Sequence, residues 1–241
     1  MNILDSIKTS VLTPIHPAGT PFIALFFILT IIIGWLWTPL YYLGFTLTLW
    51  CIYFFRNPSR KTPILSGLNK NNLIISPADG KVIEISQITP SEDIGLPEGK
   101  WTRICVFMNV FDVHVNRSPM SGQITYKNYI PGSFINASLD KASEENERLI
   151  LNMDTDNGKK IAFVQIAGLV ARRIICDVDI GHSLKAGEVF GLIRFGSRVD
   201  IYFPSEVSVM VLKGQKMIAG ETIIGDFSKN AKPVKEITDE K

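Results

Sequence analysis

Gly196 and Ser197 lie inside an apolar, strand-like run, and their residue types would allow the chain to cut its own backbone. Glycine places no side chain against a distorted peptide, and the serine hydroxyl can attack the carbonyl carbon just before it, which converts the amide into an ester. Loss of the serine α-proton then eliminates the ester, and the dehydroalanine on the downstream piece hydrolyses to a pyruvoyl group and ammonia. We therefore predict self-cleavage between residues 196 and 197. Gly-Ser is also ordinary turn chemistry, as expected for Gly132 and Ser133.

General-base candidates are few, because the chain has three histidines. His16 and His182 lie in loop-like segments, whereas His114 lies between Asp112 and Asn116 in a strand-like segment. Alternation with period two predicts that these last three side chains share one face of a strand. Imidazole titrates near neutral pH and suits proton transfer, so His114 is the candidate base. A purely structural His-Asp pair is the alternative.

Asp79 is a weaker candidate, since it occupies a Pro-Ala-Asp-Gly turn at 77–80. Aspartate is favoured in such turns because its carboxylate accepts hydrogen bonds from nearby backbone amides. By itself the residue is therefore predicted to be structural.

The composition argues against two classes of binding site. A net charge of +2, without a basic block interleaved with aromatic residues, does not suggest a nucleic-acid binder. No metal site is expected, because the histidines are scattered and the three cysteines lack metal-like spacing. The cysteines lie in apolar or strand-like runs and are predicted to be buried thiols in a reducing compartment.

The N-terminal region is predicted to be a membrane anchor, because no Asp, Glu, Lys or Arg lies between Lys8 and Arg56. Two apolar segments, 22–37 and 40–55, are separated by a Thr-Pro pair. A single helix over both would be about 50 Å long, well beyond a hydrocarbon core of about 30 Å. Two helices of about 24 Å each fit better, as a spanning or an interfacial hairpin. Basic residues on both sides of the hairpin predict that both ends are cytoplasmic.

The rest of the chain divides into a linker at 57–72, a β-rich domain at 73–227 and a flexible tail at 228–241. Short runs rich in Val and Ile, most of them separated by Gly or Pro, predict a mainly β, barrel-sandwich-like fold. These runs are 73–75, 82–88, 104–110, 161–169, 173–178, 189–193, 199–203 and 207–212. Helix is expected only at 136–152, with a surface loop as the alternative for its charged centre.

Weak self-similarity runs through the β-rich domain. The segment 76–82 is similar to 118–124, and 186–191 is similar to 219–225. Either an internal duplication or repeated use of one turn type explains this pattern. Repeated glycine turns of this kind are also similar to those of lipoyl-type barrel-sandwich carriers.

Four blocks give a resemblance to a known family: 76–82, 111–122, 165–174 and 193–204. They contain the Pro-Ala-Asp-Gly turn, the Asp-x-His segment, Gln-Ile-Ala-Gly followed by Ala-Arg-Arg-Ile, and the Gly-Ser pair with the strand after it. In order and spacing they resemble the phosphatidylserine decarboxylase proenzymes, in their short form. The resemblance covers roughly residues 12–225.

The resemblance implies a membrane-bound proenzyme cut into a β chain, 1–196, and an α chain, 197–241, which stay associated. Ser197 would become the pyruvoyl group, which forms a Schiff base with phosphatidylserine and releases CO2 and phosphatidylethanolamine. Asp79 and His114 would assist cleavage or turnover. The longer forms of the family have a second histidine three residues after the first, and Arg117 stands there in this chain.

Further expectations concern cofactors and substrate contacts. The pyruvoyl ketone replaces pyridoxal phosphate as the electron sink, and no lysine stands in a motif for that cofactor. The lipid phosphate requires a cation, and Arg172 and Arg198 are the candidates. The predicted location is the cytoplasmic side of the cell (inner) membrane, where the substrate stays in the bilayer.

Two alternatives of other classes stay open at this point. A membrane-anchored carrier or interaction domain without catalysis would explain the repeated glycine turns, although no lysine is flanked as in lipoyl domains. A membrane-bound metallopeptidase is disfavoured by the scattered histidines. The sequence leaves the oligomeric state open, with a homo-oligomer among the alternatives.

Overall fold

The computed structural model describes residues 13–63, 70–138, 142–169, 173–194, 197–228 and 230–235. Gly196 and Arg172 lie outside these ranges, as does part of the predicted tail. The chain divides into two compact units. The first comprises the described residues up to Ser59 together with Val110–Val115, and the second comprises Arg60–Asn109 and the described residues from Asn116 onward.

The first unit contains a hairpin of two apolar helices, α1 (Thr20–Leu36) and α2 (Thr38–Phe54). Trp37 between them has extended backbone angles, and a proline follows in the first turn of α2, where a missing N–H is tolerated. At the base of the hairpin, the amide of His16 donates to the carbonyl of Phe55 at 2.8 Å, so the two ends lie side by side. The predicted pair of helices is confirmed.

The hairpin has an apolar outer surface. Large side chains such as Leu25, Ile31 and Trp35 are exposed on it. Within the part of the chain that the structure describes, one helix, Pro17–Leu36, is long and apolar enough to cross a membrane, judged by length and composition. Helix α2 has 17 residues and would be about 26 Å long, slightly less than a hydrocarbon core.

The second unit is mainly β, as predicted. The strands over the described ranges are β1 (Leu73–Ile75), β2 (Gly80–Ile88), β3 (Trp101–Met108), β4 (Val115–Arg117), β5 (Gly122–Ile130), β6 (Arg148–Thr155), β7 (Lys160–Ala167), β8 (Ile174–Cys176), β9 (Ser183–Leu184), β10 (Val189–Ile193), β11 (Ser197–Pro204), β12 (Ser208–Val209), β13 (Lys216–Met217) and β14 (Ile223–Asp226). A short helix, α3 (Ala142–Glu145), precedes β6.

The strands form one large sheet and two small ones. The large sheet has the order β13-β2-β3-β11-β7-β6-β5-β9, and the small sheets have the orders β1-β14-β12 and β4-β10-β8. Strand β11 lies at the centre of the large sheet, antiparallel to β3 and to β7. The main core includes Val106, Phe163, Val199 and Ile201 on one face of these strands. A smaller cluster around Trp101 packs on the other face.

The predicted self-similarity corresponds to a structural repeat. The order of the large sheet is the same from both ends if β2 is matched with β5, β3 with β6 and β11 with β7. The hydroxyl of Ser76 donates to the carbonyl of Ala78 at 2.8 Å, and that of Ser118 donates to the carbonyl of Met120 at 2.7 Å. This agreement in local geometry favours duplication over repeated use of one turn type.

Two glycines mark the same point of each repeat. Gly80 begins β2 and Gly122 begins β5, and a Cβ on either would overlap a carbonyl oxygen of the neighbouring strand, that of Phe107 or Asp154. Both strands then have a register shift at the same distance from that glycine. We call β1–β3 with β11–β14 the first repeat and β4–β10 the second repeat. The second repeat is thus inserted into the first between β3 and β11.

The expectation of helix at 136–152 was wrong for most of its length. Over the described part of that range, helix occurs only at Ala142–Glu145, and β6 begins at Arg148. Strand β6 is paired on both sides, with β5 and β7. These long-range pairings, together with burial of Leu149, Leu151 and Met153, override the helical tendency of the charged segment before them.

Candidate active site

Ser197 is the first residue of β11 and lies between two neighbouring strands. It is directly opposite Met108 of β3 and Ala167 of β7, and it is fully buried. Its Oγ has no hydrogen-bond partner among the described residues. A buried hydroxyl without a partner costs about 1–3 kcal/mol, so this is an unusual place for a serine that has only a structural role. Ser133 of the other Gly-Ser pair is exposed, and it forms an isolated β-bridge with Asn146 in place of the expected turn.

Gln165 lies on the same face of the large sheet as Ser197, and the buried amide of Asn116, in β4 of a small sheet, bonds to it. Gln165 is opposite Val199, two residues along β11, and its Nε2 donates to Oδ1 of Asn116 at 2.9 Å. Nδ2 of Asn116 contacts the sulfur of Met108 at 3.7 Å, and Met108 is the cross-strand partner of Ser197. The Oε1 of Gln165 has no partner within the described ranges. The first residue of β11 therefore has a polar neighbourhood inside an apolar core.

Asp79 lies in the predicted turn just before β2, and its carboxylate is nearly buried. Both carboxylate oxygens accept from Nη2 of Arg60, at 2.9 and 2.7 Å, and Oδ1 also accepts from the amide of Ala219 at 2.8 Å. Gly80 follows and packs against the strand that neighbours β11. Lys81 of β2 and Arg198 of β11 are both paired with Phe107 of β3, so the turn that contains Asp79 lies at the same end of the sheet as Ser197. Asp79 thus has a clear structural role in the turn.

His114 is fully buried in the first unit, beside the hairpin. Its ring stacks on that of Phe54 at 4.2 Å between centroids, and its Nδ1 lies 3.0 Å from the carbonyl oxygen of Asp112. A carbonyl only accepts, so Nδ1 carries the proton and Nε2 is the basic nitrogen. Burial, together with the positive charge of Arg56, lowers the pKa of His114 to about 4, against the hydrogen bond to Asp112, which raises it. The imidazole is neutral at pH 7.

The strand that was expected to align three side chains is absent. Strand β3 ends at Met108, a turn and bend follow, and β4 begins only at Val115. His114 therefore bonds to the backbone of Asp112 and does not share a strand face with its carboxylate. The reason is that the chain must leave the sheet between β3 and β4 to enter the second repeat.

Of the two arginines predicted to bind the lipid phosphate, the structure describes one. Arg172 lies outside the described residues. Arg198 is fully buried, and its guanidinium donates to both carboxylate oxygens of Asp200, at 2.5 and 2.7 Å, and to the sulfur of Cys105 at 2.9 Å. This environment, on the face of β11 opposite to Ser197, holds a structural ion pair. The expectation that Arg198 binds a lipid phosphate is not favoured by that geometry.

Arg117 occupies the position where the longer forms of the resembled family have a histidine. It lies in β4, and its Nη1 donates to the carbonyl of Gly187 at 2.9 Å. Burial and the nearby charge of Arg60 lower the pKa of Arg117, which nevertheless stays protonated at neutral pH. A permanent cation cannot act as a general base, so Arg117 does not replace that histidine in proton abstraction.

The described residues include no group of three His, Cys, Asp or Glu side chains that could hold a metal ion. A pyruvoyl group made from Ser197 would fit its surroundings, because the serine is enclosed by Met108 and Ala167 and its hydroxyl is not bonded to a described residue. The site also contains three residues for which no role was predicted, namely Asn116, Gln165 and Arg60. No local pattern identifies them, since strand register and the fold of the linker bring them to these positions.

Comparison with known protein families gives one finding for this chain. Residues 47–225 match the model of the family described as phosphatidylserine decarboxylase. The matched region begins inside α2, extends into β14 and includes Asp79, His114, Gln165 and Ser197. It covers about three quarters of the chain and does not favour the alternative of a carrier domain.

Proposed function

Because the chain belongs to the phosphatidylserine decarboxylase family, we propose that it removes the carboxyl group of phosphatidylserine with a pyruvoyl group made from its own Ser197. The product lipid is phosphatidylethanolamine, and CO2 is released. The observation that carries this proposal is the buried hydroxyl of Ser197, which has no hydrogen-bond partner among the described residues. That oxygen is kept away from water and from competing partners, as a nucleophile directed at its own backbone requires.

The self-cleavage would begin when Ser197 Oγ bonds to the carbonyl carbon of residue 196. The C–N bond breaks as the Ser197 nitrogen takes the hydroxyl proton, which leaves an ester and a free amine. A base removes the α-proton of Ser197, and the Cβ–O bond breaks so that residue 196 leaves as a carboxylate. Addition of water and loss of ammonia then leave a ketone at the start of the α chain. That ketone, as part of an α-keto amide, supplies the electron sink that amino-acid side chains lack.

His114 is the proposed proton carrier. The bond from Nδ1 to the carbonyl of Asp112 makes Nε2 the basic nitrogen, and the lowered pKa keeps it unprotonated at neutral pH. Such a nitrogen is ready to accept a proton and, with its low basicity, to return it quickly to a carbanion. Asp79 is proposed to assist cleavage, a role that has to coexist with its ion pair to Arg60.

The two chains would stay together after the cut. Strand β11 is paired with β3 and β7 along most of its length, and Arg198 and Asp200 form a buried ion pair near its start. The new N-terminus of the α chain is thus held by backbone hydrogen bonds on both sides. This arrangement supports a ketone at a fixed position in the core.

The anchor supports a membrane-resident substrate. Both ends of the helical hairpin lie together, which agrees with entry and exit on one side of a bilayer. We place the catalytic domain on the cytoplasmic side of the cell (inner) membrane, where it would take phosphatidylserine from the bilayer. Arg172 stays the proposed partner of the lipid phosphate.

Denaturing electrophoresis and intact-mass measurement of active protein test this function. We expect two chains, with the smaller one beginning at residue 197 and carrying a blocked N-terminus whose mass fits a pyruvoyl group. Active protein that runs as one band near 26.9 kDa would contradict the mechanism. Cleaved protein that releases no CO2 from phosphatidylserine would contradict the assigned substrate.

A further inference from the structure

Gln165 combines three properties that its hydrogen bond to Asn116 does not explain. It is 1 % exposed, it lies on the same face of the sheet as Ser197, and its Oε1 has no hydrogen-bond partner within the described part of the chain. Its strand position is diagonal to Ser197, at a separation of about 7–8 Å that a long side chain can bridge. A buried acceptor without a partner is uncommon in native proteins and requires an explanation, such as a donor that binds there.

The orientation of this amide is set by its neighbours. Nε2 of Gln165 donates to Oδ1 of Asn116 at 2.9 Å and contacts the carbonyl oxygen of Ile175 at 3.4 Å. The Ile175 carbonyl is only an acceptor, so the nitrogen must face it and Oε1 must point elsewhere. Asn116 holds this arrangement, and its own nitrogen contacts Met108 beside Ser197.

The donor cannot be supplied by Ser197 in the mature protein. Self-cleavage removes its hydroxyl oxygen, which leaves with the carboxylate of residue 196, and the ketone that remains is itself an acceptor. Among the polar groups of the phosphatidylserine headgroup, the carboxylate and the phosphate accept hydrogen bonds, and the amine donates. The amine is also the group that must approach the ketone carbon.

We propose that Gln165 is the residue that binds the substrate amine, with Oε1 accepting its N–H and directing its lone pair at the ketone derived from Ser197. This inference rests on the proposed function. In the step it assists, the amine nitrogen bonds to the ketone carbon and the ketone oxygen leaves as water. Asn116 acts through Gln165 and is a positioning residue.

The test compares Gln165→Leu with Asn152→Leu as a matched control. Asn152 is also a buried amide whose oxygen has no partner in the described ranges, but it lies on the opposite face, bonded to the carbonyl of Gly95. Three quantities are measured in membranes: the cleaved fraction on gels, the ketone content with phenylhydrazine, and the amount of short-chain phosphatidylserine fixed to the α chain by borohydride.

In Q165L we expect cleavage and ketone content like those of the wild type, and trapping of the amine slower by about 10- to 100-fold, the range for one hydrogen bond to a polar or charged group. N152L should trap the amine at the wild-type rate. Equal trapping in Q165L and the wild type would overturn the inference and would mean that Oε1 binds only water. Absence of the ketone in the wild type would overturn the proposed function itself.

If Q165L does not cleave, Gln165→Glu tests whether residue 165 contacts the substrate amine. A carboxylate at this position keeps the acceptor and holds the amine as an ammonium ion, which must lose a proton before it can attack. The pH profile of trapping in Q165E should therefore move upward by about one unit or more relative to the wild type. An unchanged profile in Q165E would contradict contact between residue 165 and the amine.

Discussion

The two repeats of the β domain differ most where each should close a hairpin. In the second repeat, β6 and β7 are joined by a tight turn at 156–159. In the first repeat the matching strands are β3 and β11, and no turn joins them, because the chain leaves after Met108 and returns at Ser197. The proposed cleavage site is thus the position of a missing turn.

The β6–β7 end of the second repeat and the β3–β11 end of the first repeat differ in the hydrogen bonding of their hydroxyl groups. In the second repeat, the hydroxyl oxygen of Thr155 lies within the turn at 2.6 Å from two acceptors, the carbonyl of Lys159 and Oδ1 of Asn157, which share its one hydrogen. In the first repeat, the buried hydroxyl of Ser197 has no partner among the described residues. The closed end satisfies its polar atoms, and the open end leaves one available for reaction. Under the proposed mechanism, the same topology would serve structure in one repeat and chemistry in the other.

Ser197→Ala should have the largest effect. We expect no cleavage and no release of CO2, because no hydroxyl remains to form the ester or the ketone. The uncleaved fold should lose no stability, since the change removes a buried donor without a described partner. Gels and CO2 release measure the first effect, and thermal unfolding measures the second. Ser133→Ala, at the exposed Gly-Ser pair, is the control and should cleave normally. Activity in S197A would contradict the proposal that the first repeat has a reactive end where the second repeat has a purely structural turn.

Arg198→Met and Lys160→Met compare matching positions of the central strands. Arg198 is fully buried against Asp200, whereas Lys160 pairs with Asp154 at 2.6 Å on a partly exposed face. Removing Arg198 leaves a buried carboxylate and should cost about 3–5 kcal/mol of the free energy of unfolding. Removing Lys160 should cost less than about 1 kcal/mol. Denaturant unfolding in detergent measures both, and equal losses would contradict the structural role of the buried pair.

The sequence predicted the strands better than their partners. Segments 73–75 and 189–193 are strands with the expected bounds, because short Val- and Ile-rich runs between turns have few other stable conformations. The polar neighbours of Ser197 were not predictable in this way. Gln165 and Asn116 meet only because of the register of β7 against β11 and the path of the chain from the end of β3 to β4. The local sequence spacing encodes neither the register nor this path.

Low pH should destabilise the segment after Met108 that contains His114. The pKa of His114 is about 4 in the folded chain, below the value of about 6.5 in an unfolded chain. The unfolded state therefore binds more protons between these values, so stability is complete above pH 6.5 and is lost as the pH falls towards 4. The loss should be on the order of 3 kcal/mol. Unfolding measured against pH should lose this slope in His114→Gln and keep it in His182→Gln, where the histidine is exposed. A slope that persists in H114Q would place its origin elsewhere.

Asp79→Ser separates the structural role of this residue from a chemical one. The second repeat already contains the variant, because Ser121 stands at the matching position and its Oγ accepts from the amide of Ala186 at 3.0 Å, as Asp79 accepts from Ala219. D79S should keep that bond and lose the pairing with Arg60, whose side chain is 13 % exposed, at a cost of about 1–3 kcal/mol.

Arg60→Met is the matched control, because it removes the same ion pair and keeps the carboxylate. If Asp79 assists cleavage, D79S should accumulate folded, uncleaved chain in a pulse-chase experiment, and R60M should cleave at the wild-type rate. Equal delays in the two variants would mean that Asp79 acts only by holding the turn before β2. The first repeat would then differ chemically from the second through Ser197 and its amide neighbours alone.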